Sequence, residues 1–469
     1  MEKVVLKDLI RATKGKFVFG NPKQPVLTIS SDTRKIKHGD VFFALKGKRF
    51  DGHNFVTKAI ESGVSAMVVT NLSDQINAFF PNIPAIIIVE DTLKALGDFA
   101  SFYRTQFSSR MICITGSNGK TTTKEIAHSI FSLVGPTLAN FGTYNNLIGV
   151  PVTLFELNSQ HAFCIVEIGI SFKGEIDRLI SIAYPDISVI TNIGNAHLEL
   201  LDDLNGVFVE KKKIATGLTG EKYAVLNIDD PYLAELIPEL KCRVITYGFN
   251  NRADIFVTDE KYHKDTTEFV LHVRSAGKPG TVDRVNVKMP AVGKFNIYNA
   301  IAAAGAAHAA EIDLQTIKHG IEKFIPPQMR METIELPSGA TIINDAYNAN
   351  PDSMRRAIEC FIQIYPNREK VVVLGDMLEL GKHSAAEHKK LGEFLSALPL
   401  KEVYLYGDEI TNAVGPMKKT ESNGPKYFPA SKIDNLMMQL NGQVTKPVAI
   451  LFKASRLVGL EKIIDKLIQ

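Results

Sequence analysis

Residues 111–135 have the sequence MICITGSNGKTTTKEIAHSIFSLVG, and this stretch decides the fold of the chain. Its apolar run predicts a buried strand, its glycines predict a tight turn, and the spacing that follows predicts an amphipathic helix. Glycines let a backbone approach phosphates closely, and the first amides of a helix attract anionic oxygens. Lys120 would meet the β- and γ-phosphates, and the Thr121 hydroxyl would bind Mg²⁺. The stretch therefore predicts an ATP-binding phosphate loop.

The spacing of this motif is Gly-x-x-Gly-Lys-Thr, two residues shorter than the usual phosphate loop. A glycine turn followed by a solvated lysine is the alternative interpretation. The strand before the motif and the helix after it favour phosphate binding over that alternative.

Strand and helix patterns continue to alternate after the phosphate loop. Apolar runs predict strands at 163–170, 187–194, 223–229 and 243–248. This alternation predicts a mostly parallel sheet with both faces covered. Residues 253–290 break the rhythm and predict an antiparallel meander, and 299–311 predict a helix of small residues.

The paired prolines in 324–330 predict a domain boundary, because proline ends helices and stiffens connections. A second alternation follows, with strands at 341–347, 370–376, 402–407 and 448–454, and it predicts a doubly wound, Rossmann-like sheet. Before the phosphate loop, short apolar runs alternate with turns to about residue 83, and 92–107 predict a helix with Thr92 as its N-cap. The predicted fold is α/β with three domains: a small α/β domain at 1–84, a central parallel-sheet ATPase domain at 85–326 and a Rossmann-like domain at 327–469.

Composition agrees with three globular domains and excludes several classes of protein. The 469 residues are 45% hydrophobic and 22% charged, which excludes disordered and fibrous proteins. The 54 basic and 51 acidic residues leave a net charge too small to indicate a nucleic-acid or membrane partner. Neither a membrane span nor an export signal is evident. The four cysteines lie far apart without a Cys-x-x-Cys pair, so we expect free thiols and a cytoplasmic protein.

Two polar residues interrupt or follow the predicted strands of the central domain. Glu167 lies inside an apolar strand, where a carboxylate is costly unless it is paired or binds a cation. His197 follows the next strand. Ligand sites of open α/β sheets lie at the carboxyl ends of strands, so both residues are candidates for a Mg–ATP site beside the phosphate loop. A solvent-facing glutamate and a histidine that only caps a helix are the alternatives.

Further candidates have equally plausible structural explanations. Lys211, Lys212 and Lys213 lie in a helical pattern, where a solvated cationic face is the default. The segment 345–353 follows a strand and precedes a helix, so its Asn and Asp residues suit turn and cap chemistry as well as a polar ligand cradle. Lys453 and Ser455 end the last strand in the same way.

The chain resembles the ATP-dependent Mur ligases of peptidoglycan synthesis nearly from end to end. The motifs that carry the resemblance include the short phosphate loop, Ser31–Arg34, Phe50–His53, Asn145–Pro151, Val166–Gly169, Asn195–Glu199, Asn296–Asn299, Arg330–Glu332, Tyr347–Pro351 and Gly375–Gly381. The shortened loop is the form that this family uses. The resemblance is strongest to the branch of the family that joins D-alanyl-D-alanine to UDP-N-acetylmuramoyl-tripeptide, and it implies an acyl phosphate intermediate and a place in the bacterial cytoplasm.

The resemblance implies roles at the nucleotide. ATP would contact Gly116, Ser117, Asn118, Gly119, Lys120, Thr121, Thr122, Asn296, Asn299, Arg330 and Asp345. Thr121 and Glu167 would bind one Mg²⁺, and His197 a second. Lys211 would carry a carbamate that reaches towards the second metal. The catalytic residues would be Lys120, His197 and Lys211.

The resemblance also implies where the other substrates bind. The nucleotide sugar and the dipeptide would contact Ser31, Thr33, Arg34, Asp51, Gly52, His53, Asn145, Asn146, Tyr347, Asn348, Asn350, Lys453 and Ser455. Both are small molecules, and we expect a monomer with no nucleic-acid partner and no membrane insertion.

Two residues depart from the family pattern. Phe295 replaces a histidine before Asn296, and Lys212 replaces a small residue, which leaves the carbamylated lysine open among three neighbours. The competing interpretations are the sister ligase that adds the third amino acid, a folylpolyglutamate synthetase, and a catalytically silent nucleotide-binding regulator. Intact Lys120, Glu167 and His197 argue against the regulator.

Overall fold

The computed structural model describes residues 1–2, 4–47, 50–71, 83–274, 280–417 and 424–468. Three sheets follow one another along these parts of the chain, and helices flank each of them. The predicted α/β fold with three domains is confirmed.

The first sheet has five strands in the order β1-β5-β4-β3-β2. β1 pairs with β5 antiparallel, and the other three pairings are parallel. All five strands are only two to four residues long, and apolar side chains of the sheet pack with the second helix. The elements of this region are α1 (Leu6–Thr13), β1 (Lys16–Phe19), β2 (Ile29–Ser30), β3 (Val41–Phe43), α2 (Val56–Glu61), β4 (Ala66–Val69), β5 (Ala85–Ile88) and α3 (Thr92–Arg104).

The second sheet has nine strands in the order β14-β13-β12-β11-β10-β9-β6-β8-β7. β12, β13 and β14 pair antiparallel, which confirms the predicted meander. Its strands are β6 (Arg110–Thr115), β7 (Thr137–Ala139), β8 (Phe163–Glu167), β9 (Ile187–Ile190), β10 (Thr219–Asn227), β11 (Lys241–Gly248), β12 (Ile255–Tyr262), β13 (Thr267–Arg274) and β14 (Val282–Met289). Its helices are α4 (Lys120–Phe131), α5 (Gly149–Leu154), α6 (Glu175–Ala183), α7 (Leu198–Leu201), α8 (Leu204–Thr216), α9 (Pro231–Leu236), α10 (Lys294–Ala309) and α11 (Leu314–Lys323).

The third sheet has six strands in the order β15-β16-β20-β17-β18-β19. Only the edge pair β15–β16 is antiparallel, and the remaining pairings are parallel. Its strands are β15 (Glu332–Glu335), β16 (Thr341–Asn344), β17 (Lys370–Gly375), β18 (Glu402–Tyr406), β19 (Lys426–Phe428) and β20 (Ala449–Lys453). Its helices are α12 (Pro351–Ile364), α13 (Ser384–Ser396), α14 (Val414–Met417), α15 (Ile433–Gln443) and α16 (Glu461–Leu467).

The chain forms two compact units whose limits differ from the sheets. The first unit comprises 1–113, 135–169 and 174–186, and the second comprises 114–134, 170–173 and 187–469. The phosphate loop, the strands from β9 to β14 and the whole third sheet therefore belong to the second unit.

Side-chain caps fix where several helices begin. Asp91, and not Thr92 as predicted, caps α3, because its carboxylate accepts hydrogen bonds from the backbone amides of Leu93 and Lys94. Asp203 and Asp230 cap α8 and α9 in the same way.

The cysteines are free thiols, as predicted: Cys113, Cys164 and Cys360 are buried, and Cys242 is partly buried. Within the described ranges, no helix combines the length and the apolar character that a bilayer span requires.

Candidate active site

The phosphate loop turns between β6 and α4 on two glycines. Gly116 has a φ of +147°, and a Cβ there would overlap the Thr191 hydroxyl. Gly119 has a φ of +82°, and a Cβ there would overlap the Asn299 side chain. Both positions combine a left-handed backbone with close packing, so only glycine fits them. The structure thus forms the strand, turn and helix that the sequence predicts.

The loop after β9 holds the phosphate loop from one side. The amides of Ser117 and Asn118 donate to the carbonyl and to Oδ1 of Asn192, at 2.9 and 3.0 Å. The Thr191 hydroxyl donates to the Asn118 carbonyl at 2.6 Å, and the Ser117 hydroxyl lies 2.9 Å from the Gly194 carbonyl. The phosphate loop is therefore braced by the strand-end loop that leads to His197.

Two lysines donate to the same carbonyl of the loop. Nζ of Lys120 lies 2.8 Å from the Gly116 carbonyl oxygen, and Nζ of Lys211 lies 3.0 Å from it. Lys211 is 1% exposed. Lys212 and Lys213 instead pair with Glu239 and Glu210. The ammonium group of Lys211 thus reaches the phosphate loop.

Buried asparagines of α10 lie beside the phosphate loop. Nδ2 of Asn296 donates to the Val292 carbonyl, and Oδ1 of Asn296 accepts from Nδ2 of Asn299 at 3.1 Å. Oδ1 of Asn299 then accepts from the Thr123 hydroxyl at 3.4 Å. This chain of hydrogen bonds fixes the orientation of both amides next to the loop.

Arg330, from the C-terminal region, contacts the start of α4 and packs on the ring of Tyr347. Nη2 of Arg330 donates to the Thr121 hydroxyl at 3.0 Å. The guanidinium carbon of Arg330 lies 4.4 Å from the centre of the Tyr347 ring, and that of Arg456 lies 5.7 Å from it. Cation–π contacts of this kind orient a guanidinium group. Arg330 thus lies beside the phosphate loop, and its contact with ATP stays a prediction.

Asp345 makes an ion pair with Lys453. Nζ of Lys453 lies 2.5 Å from Oδ2 of Asp345 and also donates to the Asn348 carbonyl at 3.0 Å. Oδ1 of Asp345 accepts from the Met331 amide. The two residues therefore hold the loop after β16, while the Asn348 side chain is exposed.

Ser455 joins three strand-end loops of the third sheet. Its hydroxyl accepts from the Leu378 amide at 2.9 Å and donates to the Ala349 carbonyl at 3.2 Å. The Ser455 amide donates to the Asp376 carbonyl. Ser455 therefore makes hydrogen bonds to the loops after β16 and β17 and holds them together.

Asn350 makes two contacts with its side chain. Oδ1 accepts from the Ser353 amide and so caps α12, and the Ser353 hydroxyl accepts from the Asn350 amide in return. Nδ2 donates to Oδ1 of Asn118 in the phosphate loop at 2.8 Å. Beside it, Oδ2 of Asp352 accepts from the Asn195 amide at 2.9 Å.

His197 directly precedes α7 with a φ of +56°, and its side chain contacts a carboxylate, so it does more than cap a helix. Its Nδ1 lies 2.6 Å from Oε2 of Glu379, which follows β17. A carboxylate only accepts, so Nδ1 of His197 is the donor of this hydrogen bond. The hydrogen bond from His197 lowers the pKa of Glu379, with the positive charge of Lys120 acting in the same direction.

Glu167 ends β8 in the first unit. Its side chain is 1% exposed, and Oε1 accepts from Nδ2 of Asn145 at 2.7 Å. The solvent-facing alternative is therefore wrong. Oδ1 of Asn146 accepts from the amides of Ile148 and Gly149, just before and at the start of α5. Because Thr121 belongs to the second unit, the sharing of one metal ion by Glu167 and Thr121 stays a prediction.

The candidate residues of the first sheet make contacts among themselves. Oδ1 of Asp51 accepts from Nδ1 of His53 at 2.7 Å, and Nε2 of His53 accepts from the Thr70 amide at 2.9 Å. A Cβ at Gly52 would press on the backbone of Leu45. Motif Asp51–His53 thus stabilises its own loop.

The Ser31–Arg34 turn is more open. Arg34 forms a two-pronged pair with Asp32, and its hydrogen bonds lower the pKa of Asp32 to about 2. Ser31 and Thr33 are partly buried, and Arg34 is exposed.

Sequence reasoning missed three residues of the site. Glu379 lies in a family motif, Asp352 lies in the segment 345–353 without an individual role, and Asn192 follows β9. Their positions at strand ends, or just after one, are the signal that could have pointed to them.

Known proteins are similar to this chain in sequence and in fold. The family domains described as Mur ligase family, catalytic domain, as Mur ligase middle domain and as Mur ligase, glutamate ligase domain match residues 26–104, 114–307 and 329–456. The UDP-N-acetylmuramoyl-tripeptide–D-alanyl-D-alanine ligase of Bacillus subtilis is 35% identical, and the match covers 100% of this chain and 99% of that relative.

Two solved structures resemble the fold throughout. MurF from Acinetobacter baumannii is 32% identical with a TM-score of 0.90, and covers 100% of this chain and 99% of its own. MurF ligase from Thermotoga maritima, solved in complex with ADP, is 25% identical with a TM-score of 0.81, and covers 94% of this chain and 96% of its own.

The domain matches and the similar structures extend over nearly the whole chain. With three successive domain matches and full-length relatives above 30% identity, this chain belongs to the Mur ligase family.

Proposed function

We propose that the protein joins D-alanyl-D-alanine to UDP-N-acetylmuramoyl-tripeptide and converts ATP to ADP and phosphate. The product is the UDP-N-acetylmuramoyl-pentapeptide precursor of peptidoglycan. The observation that carries the proposal is the convergence of Arg330, Asn350 and Glu379 from the third sheet on the phosphate loop and His197. The full-length relatives named for this reaction support the choice of substrates.

The reaction has to activate a carboxylate, because an amine does not condense with one unaided in water. A tripeptide carboxylate oxygen attacks the γ-phosphorus of ATP, the bond to the bridging oxygen breaks, and ADP leaves. The dipeptide amine then attacks the acyl phosphate carbon, phosphate leaves, and the nitrogen loses a proton. Lys120 and the amides of the phosphate loop stabilise the negative charge that develops on phosphoryl oxygens.

The adenosine side of the site uses α10 and the C-terminal region. We propose that Asn296 and Asn299 lie near the adenine base, since their fixed amides are beside the phosphate loop. Arg330 contacts the phosphates. Asp345 is paired with Lys453, so we propose that it acts on the nucleotide through the loop after β16.

The donor chemistry of the site suits Mg²⁺. Thr121 offers a hydroxyl oxygen and Glu167 a carboxylate, and hard oxygen ligands are those that Mg²⁺ prefers. Within the described parts of the chain, no cluster of three His, Cys, Asp or Glu side chains is placed to hold a metal ion. Mg²⁺ commonly takes few protein ligands and completes its coordination shell with substrate phosphates and water, so it does not require such a cluster. When bound, Mg²⁺ neutralises charge on the phosphates.

The second metal position and the carbamate belong to the same proposal. His197 presents Nε2, because Glu379 holds the proton on Nδ1. Lys211 is the lysine that reaches Gly116, so we propose that it, rather than Lys212 or Lys213, carries the carbamate.

The other substrates are assigned to separate regions. We propose that Ser31, Thr33, Arg34 and the Asp51–His53 loop serve the nucleotide sugar, with Asn145 and Asn146 on the central domain. Tyr347 and Asn348 serve the dipeptide, and Lys453 and Ser455 hold their loop. The domain limits 1–84, 85–326 and 327–469, a cytoplasmic location and a monomeric state are part of this proposal.

A phosphate-release assay tests the function. We expect ATP-dependent phosphate release with UDP-N-acetylmuramoyl-tripeptide only when D-alanyl-D-alanine is also present, together with the pentapeptide product in a mass spectrum. A silent regulator would bind ATP and release no phosphate. The sister ligase would accept a UDP-N-acetylmuramoyl-dipeptide and a free amino acid, and that outcome would contradict the proposal.

A further inference from the structure

The first turn of α12 contacts two loops of the central sheet with two different side chains. Nδ2 of Asn350 donates to Asn118 in the phosphate loop at 2.8 Å, and Oδ2 of Asp352 accepts from the Asn195 amide at 2.9 Å. We call Asn350 and Asp352 the bridging pair. The cap on Ser353 fixes the direction of Asn350, so both contacts start from a rigid helix end.

The two loops that receive these hydrogen bonds are themselves connected. Ser117 contacts Gly194, and Asn118 contacts Asn192 and Thr191. From the far side, Oδ2 of Asp230 accepts from the Ile193 amide at 2.7 Å. The loop after β9 is therefore held at each residue from 191 to 195, and the bridging pair supplies the contacts that come from α12.

His197 lies two residues beyond Asn195, and Glu379 of the third sheet holds its ring. The third sheet and its helices therefore orient the phosphate loop through Asn350, the loop before the histidine through Asp352, and the histidine itself through Glu379. The bond from Asn350 reaches the Asn118 side chain, and Oδ1 of Asn192 holds the Asn118 amide, so together they restrict the loop conformation. A fixed conformation matters most when charge develops on a bound phosphate.

We propose that the bridging pair are positioning residues, which align the phosphate loop with the His197 loop when the C-terminal region is docked. Asn350 thereby acts on ATP and on turnover, and does not select the dipeptide. The inference rests on the proposed function, and it assigns Asn350 to positioning rather than to substrate binding.

The test substitutes Asn350 without removing the helix cap. Asn350→Ser keeps a side-chain oxygen for the Ser353 amide and is too short to reach Asn118. We expect kcat/KM for ATP to fall about fivefold or more, the range set by one lost hydrogen bond, with KM for D-alanyl-D-alanine almost unchanged. Asp352→Ala should give a similar loss, and Asp352→Asn, which keeps an acceptor for the Asn195 amide, should restore most of it.

Ser353→Ala is the matched control. It removes half of the capping box and touches neither loop, so it should lower the melting temperature slightly and leave the ATP parameters as in the wild type. If Ser353→Ala reproduces the loss seen with Asn350→Ser, the effect comes from the helix and the inference is wrong.

A double-mutant cycle separates this inference from the proposed function. If Asn350 acts through Asn118, then Asn118→Ala combined with Asn350→Ser should lose no more than the worse single variant. The same cycle on the dissociation constant of Mg·ADP gives an answer even if the wild type does not ligate, an outcome that would refute the proposed function alone. Additive losses, or a rise in the dipeptide KM with normal ATP parameters, would overturn the inference.

Discussion

Nδ1 of His197 and Oε2 of Glu379 are 2.6 Å apart, although the first residue follows a strand of the central sheet and the second follows a strand of the C-terminal sheet. The contact orients the imidazole ring, with Nδ1 towards the carboxylate and Nε2 on the opposite side of the ring. Contacts of this kind commonly tune a metal ligand without touching the metal.

Glu379→Gln tests that relationship. The amide can still accept from Nδ1, but it lacks the negative charge, so Nε2 becomes a poorer ligand. We expect activity at limiting Mg²⁺ to fall by about tenfold or more and to recover partly as Mg²⁺ is raised, with a normal melting curve. Titration of activity against Mg²⁺ is the measurement. An unchanged Mg²⁺ dependence would show that the pair is structural.

Lys120→Ala should abolish turnover and leave the fold intact. The loop amides remain, but the charge that meets the transferred phosphoryl group is lost. Ligation assays and thermal melting decide the matter together. More than a few per cent of wild-type ligation, with a normal melting temperature, would contradict the assigned role.

Lys211→Ala should also be inactive, and a short carboxylate such as acetate should restore part of the activity if the side chain carries a carbamate. Lys212→Ala is the matched control, because Lys212 pairs with Glu239 and lies outside the phosphate loop. We expect that control to be fully active. Full activity of Lys211→Ala without an additive would exclude the carbamate.

Asn348→Ala and Asp51→Ala should separate the two substrate regions. The exposed amide of Asn348 suits the polar groups of a dipeptide, so its loss should raise KM for D-alanyl-D-alanine well before that for ATP. Asp51→Ala releases His53 from its loop and should weaken UDP-N-acetylmuramoyl-tripeptide instead. The three KM values of each variant are the measurement, and equal effects on all three substrates would refute the assignment.

A buried histidine makes stability depend on pH. Burial lowers the pKa of His388 below its ordinary value of 6.5, and its Nε2 accepts from the Met377 amide. The folded state therefore prefers neutral His388, and stability is lost as the pH falls from 6.5 towards the lowered pKa, because the unfolded chain gains the proton first. Burial also lowers the pKa of His308, so this residue contributes to the loss of stability at low pH as well.

His388→Gln isolates this contribution, since its amide oxygen can accept from Met377 without titrating. We expect the melting temperature of the wild type to drop more than that of the variant between about pH 7.5 and about pH 5.5. Equal drops would show that other groups account for the pH dependence.

The parts of the fold and site that the sequence predicts are those with a local signal. The phosphate loop combines a strand, two glycines and a helix within 25 residues, and the long β-strands carry clear apolar runs. The five strands of the first sheet are each two to four residues long, too short to show a period, and β1 and β5 went unpredicted. The antiparallel edge strand β15 went unpredicted for the same reason.

The missed contacts of the site join residues that are remote in the chain. Asn350 and Asn118 are 232 residues apart, and nothing local to either indicates the other. The Asp51–His53 motif shows the converse difficulty. A polar motif in a loop is equally compatible with binding a ligand and with satisfying its own backbone, and the structure shows internal hydrogen bonds there.

Neither compact unit is one continuous stretch, because the polypeptide passes between them after residues 113, 134, 169, 173 and 186. During synthesis, the phosphate loop and α4 therefore emerge long before residues 187–469, which supply nearly all of their unit. Contacts between segments so far apart in sequence form late, since the entropy of loop closure opposes them. A chain that stops before residue 187 leaves the apolar face of α4 without its partners, so we expect nascent and truncated chains to aggregate unless a chaperone shields them.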